Sequence, residues 1–101
     1  MNLTPREVDK LYLYQVADLA RRRRERGTKL NPREAQALIC EAIVEAARDG
    51  RSVAECREVG KQVVTGSDCM TGVRERLALL QVEAMSIEGS KLVSRHDPVG
   101  A

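Results

Sequence analysis

Asn31-Pro32-Arg33-Glu34 opens a run that continues through Ala35, Leu38, Ile39, Ala42, Ile43 and Ala46 to Asp49-Gly50. An amide-bearing residue precedes a proline, and a glutamate stands three places after the amide. The Asn31 side chain can accept from the backbone N–H of Glu34, and the Glu34 carboxylate can reach back to the Asn31 N–H. Proline at the first helical position has no donor to lose. The apolar residues then recur at helical spacing, and Gly50 supplies the C-terminal stop. The run predicts a helix from Pro32 to about Asp49. Its stripe alternates small and branched side chains, which lets a neighbouring helix approach closely.

The same grammar occurs on both sides. Thr4-Pro5-Arg6-Glu7 predicts a first helix from Pro5 to about Arg26, stopped at Gly27, with apolar positions Val8, Leu11, Tyr12, Val16, Leu19 and Ala20. Ser52-Val53-Ala54-Glu55 predicts a third from Val53 to about Val64, with Cys56, Val59 and Val63 on one face and Gly60 inside it. The linkers at 27–30 and 50–52 are short, so successive helices should pack as neighbours. After Thr65-Gly66 the pattern changes. Ser67-Asp68-Cys69-Met70 predicts one capped turn broken by Gly72. Leu79–Met85 and Lys91–Arg95 read as two short strands around a turn at Glu88-Gly89. An isolated hairpin is marginal in water, so it must rest on the helices or on another chain. His96-Asp97-Pro98 should end the ordered part and leave Val99-Gly100-Ala101 as a tail. The expected fold is α+β: three main helices and a short turn in a bundle, then a C-terminal β hairpin, in one domain over 1–101.

Composition limits the chemistry. The chain has 101 residues, 43% apolar and 32% charged, as a soluble globular domain has. Phe and Trp are absent, and Tyr12 and Tyr14 are the two aromatics. The core must come from Leu, Ile, Val, Ala and Met, and at this size an oligomeric partner would help to complete it. No apolar run approaches the ~20 residues of a membrane span. The start lacks the layout of a signal peptide, so the chain is expected in the cytoplasm, away from membranes.

Cys40, Cys56 and Cys69 are an odd set with no CxxC. They read as buried or half-buried free thiols, not as a disulfide framework or zinc site. The single histidine, His96, excludes a site built from several imidazoles of this chain. His96 and Asp97 are adjacent on an extended segment and point to opposite faces, which argues against an acid–base pair. Glu41 and Glu45, four apart on the second helix, read as a solvated or partner-facing edge. Arg21-Arg22-Arg23-Arg24, with Arg26 and Lys29, is the most conspicuous run. Cations suit a helix C-terminus, and four consecutive helical positions point in four directions. With a net charge of +2 and no interleaved aromatics, the run does not predict nucleic-acid binding. Salt bridges within the chain or to a partner are the better reading. The glycines form no phosphate-cradling pattern. Catalytic, cofactor-binding and metal-binding residues are expected to be none.

The residues resemble the gamma subunit of bacterial urease in its stand-alone form. The likeness runs from Met1-Asn2-Leu3-Thr4-Pro5-Arg6-Glu7 and Asp9-Lys10-Leu11 through Arg26-Gly27 and Lys29-Leu30-Asn31. It continues in Glu34-Ala35, Ala37-Leu38-Ile39, Ala47-Arg48-Asp49-Gly50 and Val53-Ala54-Glu55. Met70, Gly72-Val73, Gln81-Val82-Glu83-Ala84, Lys91-Leu92-Val93 and His96-Asp97-Pro98 complete it. The resemblance implies a helical bundle with a small hairpin, assembled with urease beta and alpha subunits about a threefold axis. It also implies that urea hydrolysis to ammonia and carbamate, then CO2, belongs to the alpha subunit. There nickel is held by several histidines, an aspartate and a carbamylated lysine. This chain would be a structural subunit without a cofactor of its own.

Three departures would suit a divergent paralogue, one of them Arg95 in place of an apolar residue near the last strand. Pro32 follows Asn31 directly, where the family usually has an aromatic residue or His between them. Ser86-Ile87-Glu88-Gly89-Ser90 stands where members typically read Phe-Pro-Asp-Gly-Thr. They carry the alternative function: a urease-gamma-like interaction module of an inactive or differently specific amidohydrolase complex.

Overall fold

The computed structural model describes residues 2–86 and 89–100. Its helices are α1 (Pro5–Glu25), α2 (Pro32–Arg48), α3 (Val53–Lys61) and the single-turn α4 (Val73–Arg76). A 3-10 turn at Gly66–Asp68 precedes α4, and β1 (Leu79–Ser86) and β2 (Gly89–His96) form an antiparallel hairpin. The class is α+β, helices first and hairpin last.

All three expected caps form. Thr4, Asn31 and Ser52 accept from the N–H of Glu7, Glu34 and Glu55 at 3.2, 2.9 and 3.2 Å. Each glutamate accepts in return from the N–H of its cap residue, at 2.9, 2.9 and 3.0 Å. Reciprocal bonding satisfies donors that a helix start leaves without partners. It also holds the Glu7 and Glu55 carboxyls below their usual range. The ends of α1 and α2 are alike. Gly27 and Gly50 take φ of 87° and 93°, which a side chain would resist. The next residue then donates back into the last turn, Thr28 to the Arg23 carbonyl at 2.9 Å and Arg51 to that of Ala46 at 3.1 Å.

Helix α2 is the hub, and α1, α3, α4 and β1 pack on it. Its expected stripe is buried except for Ala42, which is half-buried, and Ala37, Cys40, Val44 and Ala47 are buried as well. The hairpin lies on the helices through one face. Leu80 pairs with Arg95 and Val82 with Val93, and Leu80 and Val93 are buried. The core is aliphatic, with Cys40 and Cys56 in it, while Met70 is exposed.

Five expectations are corrected. Of the predicted α1 stripe only Ala20 is buried; Leu11, Tyr12, Val16 and Leu19 are exposed. Helix α3 ends at Lys61, because Val64 turns in to a fully buried position beside the C-terminal segment. The 3-10 turn is capped by Thr65, whose N–H donates to Asp68 Oδ2 at 3.0 Å, and not by Ser67. Gly72, at φ 88°, starts α4 instead of ending structure. The tail, finally, is no loose end: Pro98, Val99 and Gly100 are buried. Of the expected turn at Glu88-Gly89, Gly89 opens β2 and Glu88 lies outside the described residues.

Candidate assembly surface

The arginine run braces the chain internally. Arg21 donates to Glu41 in the middle of α2 and lies 3.6 Å from Asp18. Arg23 donates to Glu34 in the first turn of α2. Arg24 donates to the Val63 carbonyl at 2.9 Å and lies 3.8 Å from Asp68. Arg22 meets Asp18 of its own helix at 3.2 Å and remains exposed. The four directions expected from helical geometry therefore lead to α2 twice, to the loop after α3, and outward. Lys29 adds a bond to the Ser67 carbonyl. Nothing in this arrangement is a flat cationic patch for phosphates.

The carboxylates are committed in the same way. Burial pushes the Glu34 carboxyl up, but the Asn31 N–H and the Arg23 guanidinium outweigh it and hold the pKa below the usual range. Glu41 and Glu45 do not form a catalytic pair. Glu41 is bound to Arg21, and Glu45 lies near the Tyr14 hydroxyl. Burial, followed by the nearby Glu45 carboxylate, pushes the Tyr14 phenol up to about 12. Of the edge expected to be solvated or partner-facing, Glu45 is exposed, while Glu41 ties α2 to α1 through Arg21.

His96 is exposed, while Asp97 bonds to Lys61, so each has a different neighbour. Burial pushes the Cys40 thiol up to about 11 and raises Cys56 and Cys69, so all three are protonated thiols at neutral pH. All are free, Cys40 and Cys56 buried and Cys69 half-buried. Among the described residues no three His, Cys, Asp or Glu side chains are grouped to hold a metal ion. No helix there is long and apolar enough to cross a membrane.

What the chain does present is apolar surface. At about 100° per residue, Leu11, Tyr12, Val16 and Leu19 fall on one side of α1, and Leu13, Ala17 and Ala20 on the other. The second side packs on the core; the first faces outward, with Tyr12 61% exposed. Tyr12 and Val16 also border a shallow groove between α1 and α2, floored by Leu13, Ala37 and Cys40 and flanked by Asp9 and Arg33. Two further exposed leucines, separated by the Gln81–Ser94 pair, stand on the outer face of the hairpin. Leu79 pairs with His96 and Glu83 with Leu92, which places Leu79 and Leu92 on the face away from Leu80 and Val93. Leu92 is 60% exposed. Contiguous exposed apolar side chains with a polar margin mark interaction surfaces. The signal for the α1 face was present in the sequence. The small residues Ala17 and Ala20 mark the side of close helix contact, which leaves the bulky stripe outside.

The chain is similar to known proteins over nearly its whole length. A family profile described as "Urease, gamma subunit" matches residues 1–99. The chain is 54% identical over 99 residues to "Urease subunit gamma" of Corynebacterium kroppenstedtii, covering 98% of each chain. It is equally similar, 54% over 99 residues, to "Urease subunit gamma" of Ruegeria sp. strain TM1040, covering 98% of this chain and 99% of the relative.

Proposed function

The chain belongs to the urease gamma-subunit family, and from that premise we propose that it is a non-catalytic structural subunit of a nickel-dependent urease. Residues 1–101 act as one gamma-subunit domain in the cytoplasm. They assemble with beta and alpha subunits and with further copies of themselves about a threefold axis. Hydrolysis of urea to ammonia and carbamate belongs to the alpha subunit, which holds the nickel. The observation that carries this reading is the full-length likeness to two gamma subunits. The donor chemistry of this chain points the same way. Its one imidazole is exposed, its thiols are protonated, and its buried carboxylate is bound to an arginine. Such residues do not fit a nickel site, which needs several converging nitrogen or oxygen donors.

The test is co-expression with alpha and beta, followed by metal analysis and urea turnover with and without this chain. The expected result is an isolated chain without bound nickel or turnover, and an active complex only when the chain is present. Stoichiometric nickel with urea turnover in the isolated chain would overturn the reading, as would a fully active alpha–beta complex lacking it. A complex that assembles with the chain but fails to turn over urea would favour the inactive or differently specific amidohydrolase complex.

A further inference from the structure

We propose that Asp97–Gly100 is a conformational strap, locked by Lys61, that joins the end of α3, the 62–69 segment and the exit of the hairpin into one cooperative unit. The Lys61 ammonium, in the last turn of α3, donates to the Asp97 carbonyl at 2.5 Å. It also donates to Asp97 Oδ2 and to the Val99 carbonyl, both at 3.1 Å. These contacts occupy its three donors. Asp97 takes a φ of 46°, the left-handed region that non-glycine residues seldom occupy. The chain bends there after β2, and the Asp97 N–H donates to the Ala78 carbonyl at 2.8 Å.

Beyond that bend the strap runs into the protein. Val99 is fully buried, as is Val64 on the segment beside it. The Gly100 N–H donates to the Val64 carbonyl at 2.7 Å, and the Gly100 carbonyl accepts from the Gly66 N–H at 3.0 Å. Arg74 of α4 also donates to the Gly100 carbonyl. A Cβ at Gly100 would lie 3.0 Å from the Lys61 carbonyl and 3.2 Å from that of Val64. Both are backbone atoms, so a side chain at this position would press directly on the contact between the two segments. Two backbone bonds between the same pair of segments protect the Gly66 and Gly100 amides, which must therefore open together. Within this lock Lys61 is half-buried, while Asp97 is exposed.

Hydrogen exchange on the full chain tests the proposal. In the parent protein the Gly66 and Gly100 amides share one opening rate, faster than that of the α2 interior. In Lys61→Met both exchange about tenfold faster or more, as loss of charge-assisted hydrogen bonds requires, while α2 amides keep their rates. Gly100→Ala accelerates the same amides from the other side of the contact. The strap is disproved if Gly66 and Gly100 open at unrelated rates in the parent, a result that needs no variant to fold. It is also disproved if both variants leave these amides at parental rates, or if α2 accelerates by the same factor.

Discussion

The Arg23 guanidinium lies on the carboxylate of Glu34, so the last turn of α1 is bound to the first turn of α2 across the Gly27 turn. The same carboxylate accepts from the Asn31 N–H at 2.9 Å and thereby caps α2. One side chain holds both the start of the central helix and its angle to the helix before it. The Glu34 side chain is 7% exposed and that of Arg23 36%, so solvent screens the cation more than the anion.

Removing the cation should therefore cost more than removing the negative charge. Glu34→Gln keeps a side chain that can cap and should destabilise the chain by about 1 kcal/mol. Arg23→Met leaves a buried carboxylate without a counter-charge and should cost about 2–3 kcal/mol. Denaturant midpoints order the two. Because the folded pKa of Glu34 is lowered, its contribution is present above the unfolded carboxyl pKa and is lost as pH falls through the folded value. The Glu34→Gln variant should match the parent most closely in the acid range below about pH 4.

Asn31→Ala removes the acceptor for the Glu34 N–H, a 2.9 Å bond. The expected loss is about 0.5–2 kcal/mol. Pro32 still sets the first helical position, so circular dichroism should show α2 shortened or loosened, not lost. An unchanged midpoint would show that the cap contributes nothing.

These caps were legible before the structure because they are local: an acceptor, a spacing of three and a glutamate specify each helix start. The destinations of Arg21, Arg23 and Arg24 were not legible. A run of identical residues states directions around the helix but not which element lies there. The end of α3 was misread for a related reason. Val63 and Val64 extend the apolar spacing of the helix, yet Val64 is taken by a partner 35 residues onward, the strap at Val99-Gly100. The order of that strap depends on Lys61 and Arg74, which no local pattern connects to it.

Helix α3 packs against α2 where Gly60 meets Ile43. A Cβ at Gly60 would lie 2.8 Å from Ile43 Cδ1 and 3.0 Å from Cγ1, and Ile43 is fully buried. Alanine gains about 1 kcal/mol in helix propensity. Overpacking a filled core costs about 1–3 kcal/mol, so Gly60→Ala should be net destabilising by about 1 kcal/mol. Ile43→Val removes Cδ1. In a double-mutant cycle it should recover part of the Gly60→Ala loss, with a coupling of at least about 0.5 kcal/mol. Additive single effects would mean that Ile43 can move aside.

The outward face of α1 supplies the last prediction. Leu11 and Leu19 stand eight residues apart on that face, both exposed, and neither is part of the buried core. Leu11→Gln with Leu19→Gln should therefore leave the stability of the chain within about 0.5 kcal/mol of the parent. If the proposed urease assembly buries this face, the double variant should fail to join co-expressed alpha and beta subunits at parental stoichiometry. Size-exclusion chromatography with light scattering reads the result. Arg22→Glu is the companion variant, because Arg22 pairs with Asp18 on its own helix and points outward. A charge at the margin of an interface acts on association rate and salt sensitivity, so this variant should assemble more slowly at low salt and recover as salt rises. Arg23→Glu is unsuitable for the purpose, because it would break the brace to Glu34 and report on folding. Normal incorporation of the Leu11 and Leu19 double variant would place this face of α1 on the outside of the complex.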